Sequence, residues 1–308
     1  MKNKFDVSVV LNMHREAVYL RPTLFSLDAC AAAAARAGIS VELVAIFDRA
    51  DKDTLDVFQQ TPLSHFKQIK TAEIDVGSLG LARNAGVKLA EGEYIWTADG
   101  DDLVSDNSIV QLMHTINTHE NKKVAIFIDF LVAFGDQYHT VRYFDSDYLT
   151  AADFAFQHPF VSRIFAQRTA FEEQPYQDLK LSTGFAYEDW DFNCQLYAKG
   201  YEFLVAPDTA FFYRQRANSL LKQANATSAR LIPHSPLFEP TQFCAAMDKS
   251  RKQHPDWSAF LLKRENLHKR NFAQEFWQLQ ALRQHVFDAA RLDPEVQPHL
   301  VATASSYC

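Results

Sequence analysis

Gly92-Glu93-Tyr94-Ile95-Trp96-Thr97-Ala98-Asp99-Gly100-Asp101-Asp102 is the stretch on which the fold turns. Tyr94 to Ala98 reads as a short apolar strand, and it stops abruptly in three carboxylates around one glycine. Working outward, the same grammar recurs upstream. Leu81 to Ala90 reads as a helix with Gly92 after it, Phe66 to Ile74 as an extended piece, Thr54 to Gln60 as a short helix, and Glu42 to Phe47 as a strand. Val7-Ser8-Val9-Val10-Leu11 opens the series as a β-branched run. A helix follows from about Tyr19 to Ala37, with Leu20, Leu24 and Leu27 at helical spacing, an alanine run of high propensity, and Gly38 where a C-cap belongs. Strand–helix alternation requires crossover connections. It predicts an α/β fold, a Rossmann-like, mostly parallel central sheet flanked by helices.

In such sheets ligands bind beyond the carboxyl ends of the strands. The polar clusters fall there: His14-Arg15-Glu16, Asp48-Arg49-Ala50-Asp51 and Asp99-Gly100-Asp101-Asp102. Three crowded carboxylates repel one another, so they serve either to hold a hard divalent cation through oxygen or as a solvated turn. Asp48 is placed to accept a base N–H or ribose hydroxyl, or alternatively to cap the 54–60 helix. Arg83-Asn84 at a helix start suits a phosphate, or is a surface pair. Glu188-Asp189-Trp190-Asp191 stands before a helix running roughly from Asp189 to Lys199; it offers a general base, or plain dipole complementation of a first turn. There is no GxGxxG, no GxxxxGK[ST], no GxSxG and no HExxH, which disfavours dinucleotide, P-loop, serine-hydrolase and zinc-hydrolase chemistry.

The rest of the chain mixes strands (124–133, 139–144, 160–166, 202–213) with the 189–199 helix. A proline-bearing loop then leads into long helical segments near 241–253 and 257–291. Residues 1–224 are expected to form one domain, in a 1–123 half and a 124–224 half, and 225–308 a helical C-terminal extension. Trp257, Phe260, Leu261, Phe272, Phe276, Trp277, Leu279 and Phe287 load that extension, interleaved with Lys263, Arg264, Lys269 and Arg270. The aromatics pack back onto the sheet, or they give peripheral contact with a membrane or partner.

The 308 residues are 47% hydrophobic and 22% charged, with 9 Gly and 11 Pro, which excludes a disordered or low-complexity chain. A formal charge of −7 argues against nucleic acid as a partner. Cys30, Cys194, Cys244 and Cys308 are scattered without ligand spacing, as reduced thiols would be. The apolar run before Asn12 is too short for a signal-peptide core, and Val124 to Phe134 too short for a membrane span. The expected location is cytoplasmic, with the inner face of the membrane as a peripheral site.

Taken as a set, these pieces resemble one family. The order runs Val7-Ser8-Val9-Val10-Leu11 with Tyr19-Leu20 and Leu24-Phe25-Ser26-Leu27, a strand ending in Asp48, Gly80-Leu81-Ala82-Arg83-Asn84-Ala85-Gly86, and Ala90-Glu91-Gly92-Glu93-Tyr94-Ile95. Asp99-Gly100-Asp101-Asp102 and Tyr187-Glu188-Asp189-Trp190-Asp191-Phe192 complete it. The pattern, over about residues 5–220, is similar to the inverting glycosyltransferases of family 2 with the GT-A fold. It departs in reading Asn12-Met13-His14-Arg15 after the first strand, Phe47-Asp48 after the second, and Tyr213-Arg214-Gln215-Arg216 late in the chain.

The resemblance implies a metal-dependent inverting glycosyltransferase, a hexosyl- or deoxyhexosyltransferase. It would move sugar from a nucleoside-diphosphate donor, pyrimidine favoured, to a glycan or lipid-linked hydroxyl in bacterial surface polysaccharide synthesis. On that reading Asn12, His14 and Glu16 line the donor site, with His14 stacking on the base. Asp48 pairs with a pyrimidine N3–H, Arg83 faces the nucleotide, and Arg214 and Arg216 reach the diphosphate. Asp99 binds ribose or metal, Asp101 holds Mn²⁺ or Mg²⁺, and Asp189, with Glu188 beside it, is the base. A nucleotidyltransferase of related fold would want a Gly-rich loop after the first strand, and a catalytically silent binding protein would be expected to lack Asp101 or Asp189.

Overall fold

The computed structural model describes residues 3–144, 147–161, 163–217, 219–226, 231–268 and 279–296. Strand β1 (Phe5–Met13) is followed by α1 (Ala17–Arg36), β2 (Val41–Asp48), α2 (Lys52–Gln60), β3 (Gln68–Ile74), α3 (Leu79–Leu89) and β4 (Gly92–Asp99). These strands pair in parallel in the order β3-β2-β1-β4, with Val10 opposite Val44 and Thr97. β1 and β2 are buried almost throughout because helices cover both faces. Gly38, with φ +78°, closes α1 as expected. Helix α2 is capped by Asp51, whose Oδ1 accepts the Thr54 N–H at 3.0 Å. A Cβ at Gly86 would lie 2.3 Å from Val10 Cγ1, so α3 rides directly on β1 and brings Arg83 in beneath the strand ends.

Chain order continues with β5 (Leu103–Val104), α4 (Ser108–Thr118), β6 (Val124–Gly135), β7 (His139–Arg142), α5 (Ala151–Phe156), β8 (Phe165–Gln167), α6 (Arg168–Glu173), α7 (Glu188–Ala198) and β9 (Glu202–Gln215). They extend the nine-stranded sheet as β4-β8-β6-β9-β5, with β7 on β6. The long β6–β9 ladder is parallel, while β8, β7 and β5 pair antiparallel over short registers. The expected 160–166 strand shrinks to Phe165–Gln167, although Ile164 still exchanges two bonds with Thr97. Helix α4 adds to the elements expected from the sequence, and Ile109, Leu112, Met113 and Ile116 carry its spacing and are buried.

α8 (Leu220–Ala226), α9 (Pro240–Gln253), α10 (Trp257–His268) and α11 (Gln280–Leu292) complete the described chain. Lys269, Arg270, Phe272, Phe276, Trp277 and Cys308 lie outside the described residues. Of the remaining C-terminal apolar groups, Phe260 is buried against His254, whereas Leu261 and Phe287 are exposed. Leu282, Val286, Ala289 and Val296 form a second core with Leu103, Phe130, Val132 and Phe134, so α11 packs on the β9 side of the sheet. Among the described residues no helix is long and apolar enough to cross a membrane.

Asp191 gives a prediction at the level of packing. It is 1% exposed in the first turn of α7, and burial pushes its carboxyl up to about 6. An acid raised in the folded state contributes stability below its unfolded value, which is lost as pH rises through the folded one. Asp191→Asn keeps the shape and removes the ionisation. It is expected to stabilise the protein by about 1–3 kcal/mol at pH 8 and by nearly nothing at pH 4. Denaturant melts at the two pH values check this.

Candidate active site

The carboxyl ends of β1, β2 and β4 open on one side of the sheet. There the His14 Nδ1–H donates to the Asp48 carbonyl at 2.6 Å, and the His14 backbone N–H donates to Glu16 Oε2 at 2.5 Å. Nε2 of that exposed ring is left as the acceptor. Asn12 is buried, and its Nδ2 reaches the Ala98 carbonyl only at 3.5 Å. The Asp48 carboxylate accepts three backbone N–H groups, from Val76 (2.9 Å), Gly77 (3.0 Å) and Ser78 (3.2 Å). It therefore organises the loop before α3. The helix-cap alternative fails because Asp51 does that work, and a base N–H would have to share an already loaded carboxylate. The loop is tight: Gly77 sits at φ +63°, and a Cβ there would meet the Arg49 guanidinium at 2.1 Å.

The acidic turn after β4 divides its carboxylates among separate tasks. Asp102, 1% exposed, accepts the Arg214 backbone N–H at 2.8 Å; burial first and Asp101 second push its carboxyl well above the usual range. It fastens β9 to the turn. Asp101 accepts from Arg216 at 2.7 Å, and burial with Asp99 nearby raises it against the pull of Arg216. Glu16 lies close by: Arg216 is 3.9 Å from its Oε1, and burial raises it too.

Arg214 is engaged by groups of the protein itself. Its guanidinium lies between the rings of Tyr19 and Phe134 (4.4 and 4.5 Å) and donates Nε–H to the Asp101 carbonyl at 3.0 Å. Its Nη groups pair with Asp293 and Glu295 just beyond α11. Arg214 is 3% exposed, and the half-buried Arg216 is the more accessible cation of the pair. The sequence pattern gave no sign that a carboxylate pair some eighty residues later would claim Arg214.

Arg83 is likewise not on the surface. It is fully buried, donates to Glu188 Oε1 at 2.8 Å and to both Asp99 oxygens at 3.3 Å, and lies over the Tyr176 ring. Burial opposes its charge, but Asp99 and Glu188 outweigh burial and hold it more firmly protonated than a free arginine. It is a strut between the acidic turn and the start of α7. Asn84 beside it clamps Tyr176, bonding its carbonyl at 2.8 Å and its N–H at 2.9 Å.

Tyr187, at φ +62°, enters α7 through the left-handed region, a conformation costly for a bulky residue and common near functional groups. It delivers Glu188 and Asp189. The Asp189 Oδ1 accepts the Trp190 N–H at 2.8 Å, its side chain stays 19% exposed, and burial raises its carboxyl against the pull of Arg83. Sequence reasoning missed two groups nearby, one half-buried and one buried. His158 stands 3.7 Å from Asp189, and Arg163 lies over Trp96 and Phe211 close to Asp102. Neither belongs to a motif.

Among the described residues no three His, Cys, Asp or Glu side chains converge as a metal cage. The donor chemistry nonetheless suits a hard cation. Asp99 and Asp101 flank Gly100, their charges interact, and carboxylate oxygen is the ligand Mg²⁺ or Mn²⁺ prefers, with remaining positions left for phosphate.

With this geometry in place the relatives are informative. The family model described as glycosyltransferase-like family 2 matches residues 7–257, and the chain belongs to that family. It is 24% identical over 131 residues to the minor teichoic acid biosynthesis protein GgaB of Bacillus subtilis, covering 42% of this chain and 14% of that protein. It is 23% identical over 167 residues to the glycosyltransferase GlyG of Streptococcus pneumoniae, covering 47% and 52%. The matched regions thus span about half of GlyG and a small part of GgaB. The fold is shared with S. aureus TarS 1–349 in complex with UDP-GlcNAc, at a TM-score of 0.58, 14% identity and coverage of 96% and 83%. It is shared more loosely with GalNAc-T7 with UDP, GalNAc and Mn²⁺, at a TM-score of 0.50, 16% identity and coverage of 71% and 45%.

Proposed function

We propose that this chain is an inverting, metal-assisted glycosyltransferase. It takes a hexose or hexose derivative from a nucleoside-diphosphate donor, uridine favoured, and passes it to a hydroxyl of a glycan or lipid-linked acceptor. Family membership and the names of the relatives support transfer in a bacterial surface polysaccharide such as a teichoic acid, and on this reading the reaction takes place at the cytoplasmic side of the membrane. The observation that carries the reading is the joint made by Arg83. One guanidinium ties the acidic turn to the Glu188–Asp189 start of α7, which brings a candidate cation ligand, Asp99, within electrostatic reach of a candidate base, Asp189.

His14, exposed beside the Asp48-held loop, offers its ring to the base, and Arg216 meets the diphosphate after leaving Asp101. Asp99 and Asp101 would hold the cation, which when bound neutralises charge on the departing diphosphate. Asp189 orients the acceptor hydroxyl and takes its proton as the oxygen attacks the anomeric carbon. A single base without a covalent intermediate gives inversion.

Asp101→Ala tests the cation role. Wild-type protein with UDP and Mn²⁺ at 100 times the Kd should gain about 2.7 kcal/mol of stability. The variant should lose the Mn²⁺-dependent part of that gain and release no UDP from a panel of UDP-hexoses and UDP-N-acetylhexosamines. Full wild-type turnover in excess chelator would overturn the metal role.

A further inference from the structure

His158 belongs to none of the motifs above, yet it is placed against the one carboxylate to which the proposed reaction assigns a proton. Its Nδ1 stands 3.7 Å from Asp189 Oδ2. On the far side of the ring, Asn193 Nδ2 lies 2.9 Å from Nε2. An amide nitrogen can only donate, so Nε2 must accept, and the proton of the neutral ring is left on Nδ1, facing Asp189. The ring is also held in plane, stacked on Trp190 at 6.2 Å with 12° between planes, and Trp190 is anchored by its Nε1–H donating to the Phe154 carbonyl at 2.9 Å. Burial pushes the ring down to about 3, so it stays neutral and does not quench the carboxylate with a full positive charge.

Asp189 and Asn193 are one helical turn apart on α7, so His158 bridges them from the loop after α5 and reads the helix face that carries the base. The two oxygens of Asp189 are then distinguished. Oδ1 is tied to the Trp190 N–H, and Oδ2 is the lobe that the imidazole faces.

We propose that His158 is a positioning residue for Asp189: Asn193 fixes its tautomer, and the resulting Nδ1–H orients the Asp189 carboxylate toward the acceptor hydroxyl. The proposal rests on the reading of Asp189 as the base. It assigns His158 no proton to carry; its part is to restrict rotation of the carboxylate, so its removal acts on turnover and leaves donor binding alone.

The tautomer is read first, without any substrate, from imidazole ¹⁵N shifts in the full chain at pH 7. Nδ1–H is expected for His158 in the wild type, and an Nε2–H or imidazolium signature overturns the proposal. Asn193→Leu keeps the volume and removes the donor, so the signature should become mixed; an unchanged Nδ1–H signature means Asn193 does not set it. Turnover is read next as UDP release from the best donor of the UDP-sugar panel. His158→Ala should lower kcat about tenfold, as expected for a loosened reacting group, with donor KM changed less than twofold. His158→Asn carries an amide N–H near the Nδ1 position and should recover most of that loss. A wild-type kcat in His158→Ala, a loss confined to KM, or a loss that His158→Asn does not relieve each overturn the positioning role. Asp189→Asn separates the two readings. If it keeps full turnover, the base assignment falls; if it is inactive while His158→Ala is wild type, only the present inference falls.

Discussion

Asp189→Asn is expected to reduce turnover by about 10²–10⁴-fold while leaving UDP affinity within a factor of two. The substitution preserves shape and the contact from the Trp190 N–H, and removes only the ability to take a proton. Glu188 is the control. It is already bound to Arg83 at 2.8 Å, so Glu188→Gln should cost stability more than chemistry. A large kinetic loss in Glu188→Gln with an active Asp189→Asn would move the base one residue earlier. The pH profile has a defined sign. A base must be ionised, and burial holds the Asp189 carboxyl above its ordinary value, so kcat should fall as pH drops through that raised value. The acid limb should therefore lie above that of an exposed aspartate and be absent from whatever residual rate Asp189→Asn retains. Steady-state UDP release across pH 4–9 reads both.

The parallel half of the fold was legible because its information is local. Val7–Leu11, Glu42–Phe47 and Tyr94–Ala98 are apolar runs bounded by punctuation, and the structure extends each by a residue or a few, to Phe5–Met13, Val41–Asp48 and Gly92–Asp99. The antiparallel half was harder. A three-residue strand such as Phe165–Gln167 has no period to read, and its position follows from pairing with β4 and β6. At the site, residue type and strand-end location pointed to the carboxylates correctly as a cluster, but their individual partners were not visible. Arg83 and Glu188 are 105 residues apart, Arg214 and Asp293 79, and the N–H groups that Asp48 gathers come from a loop 28–30 residues on. An arginine that binds a ligand and an arginine acting as a buried strut have the same local sequence. Only the tertiary arrangement separates them: it buries Arg83 and Arg214 among carboxylates and leaves Arg216 the more accessible cation.

Arg83→Met is expected to carry the largest stability cost of any single change at the site. The guanidinium is 0% exposed and neutralises two part-buried carboxylates at once, Glu188 at 2.8 Å and Asp99 at 3.3 Å. Removing one partner of a buried ion pair typically costs about 3–5 kcal/mol, because the remaining charge keeps its desolvation penalty without compensation. Here two carboxylates are left on the two sides of the gap. The thermal midpoint should fall by on the order of 5–10 °C. Arg83→Lys retains a charge but loses the fork that reaches both partners, so it should recover only part of the loss. The pH dependence discriminates this mechanism from simple loss of packing. Without Arg83, the Glu188 carboxyl loses the pull that opposes its burial and its folded-state value rises further, so its contribution is present at low pH and lost as pH rises through it. The deficit relative to wild type should be largest at pH 7–8 and shrink towards pH 4. Adding Glu188→Gln to Arg83→Met should then restore stability at pH 7, since it removes one of the two stranded charges. A deficit independent of pH, and unrelieved by Glu188→Gln, would mean that Arg83 serves the fold through its contact with Tyr176 and the walls of its pocket, and that its charge is incidental.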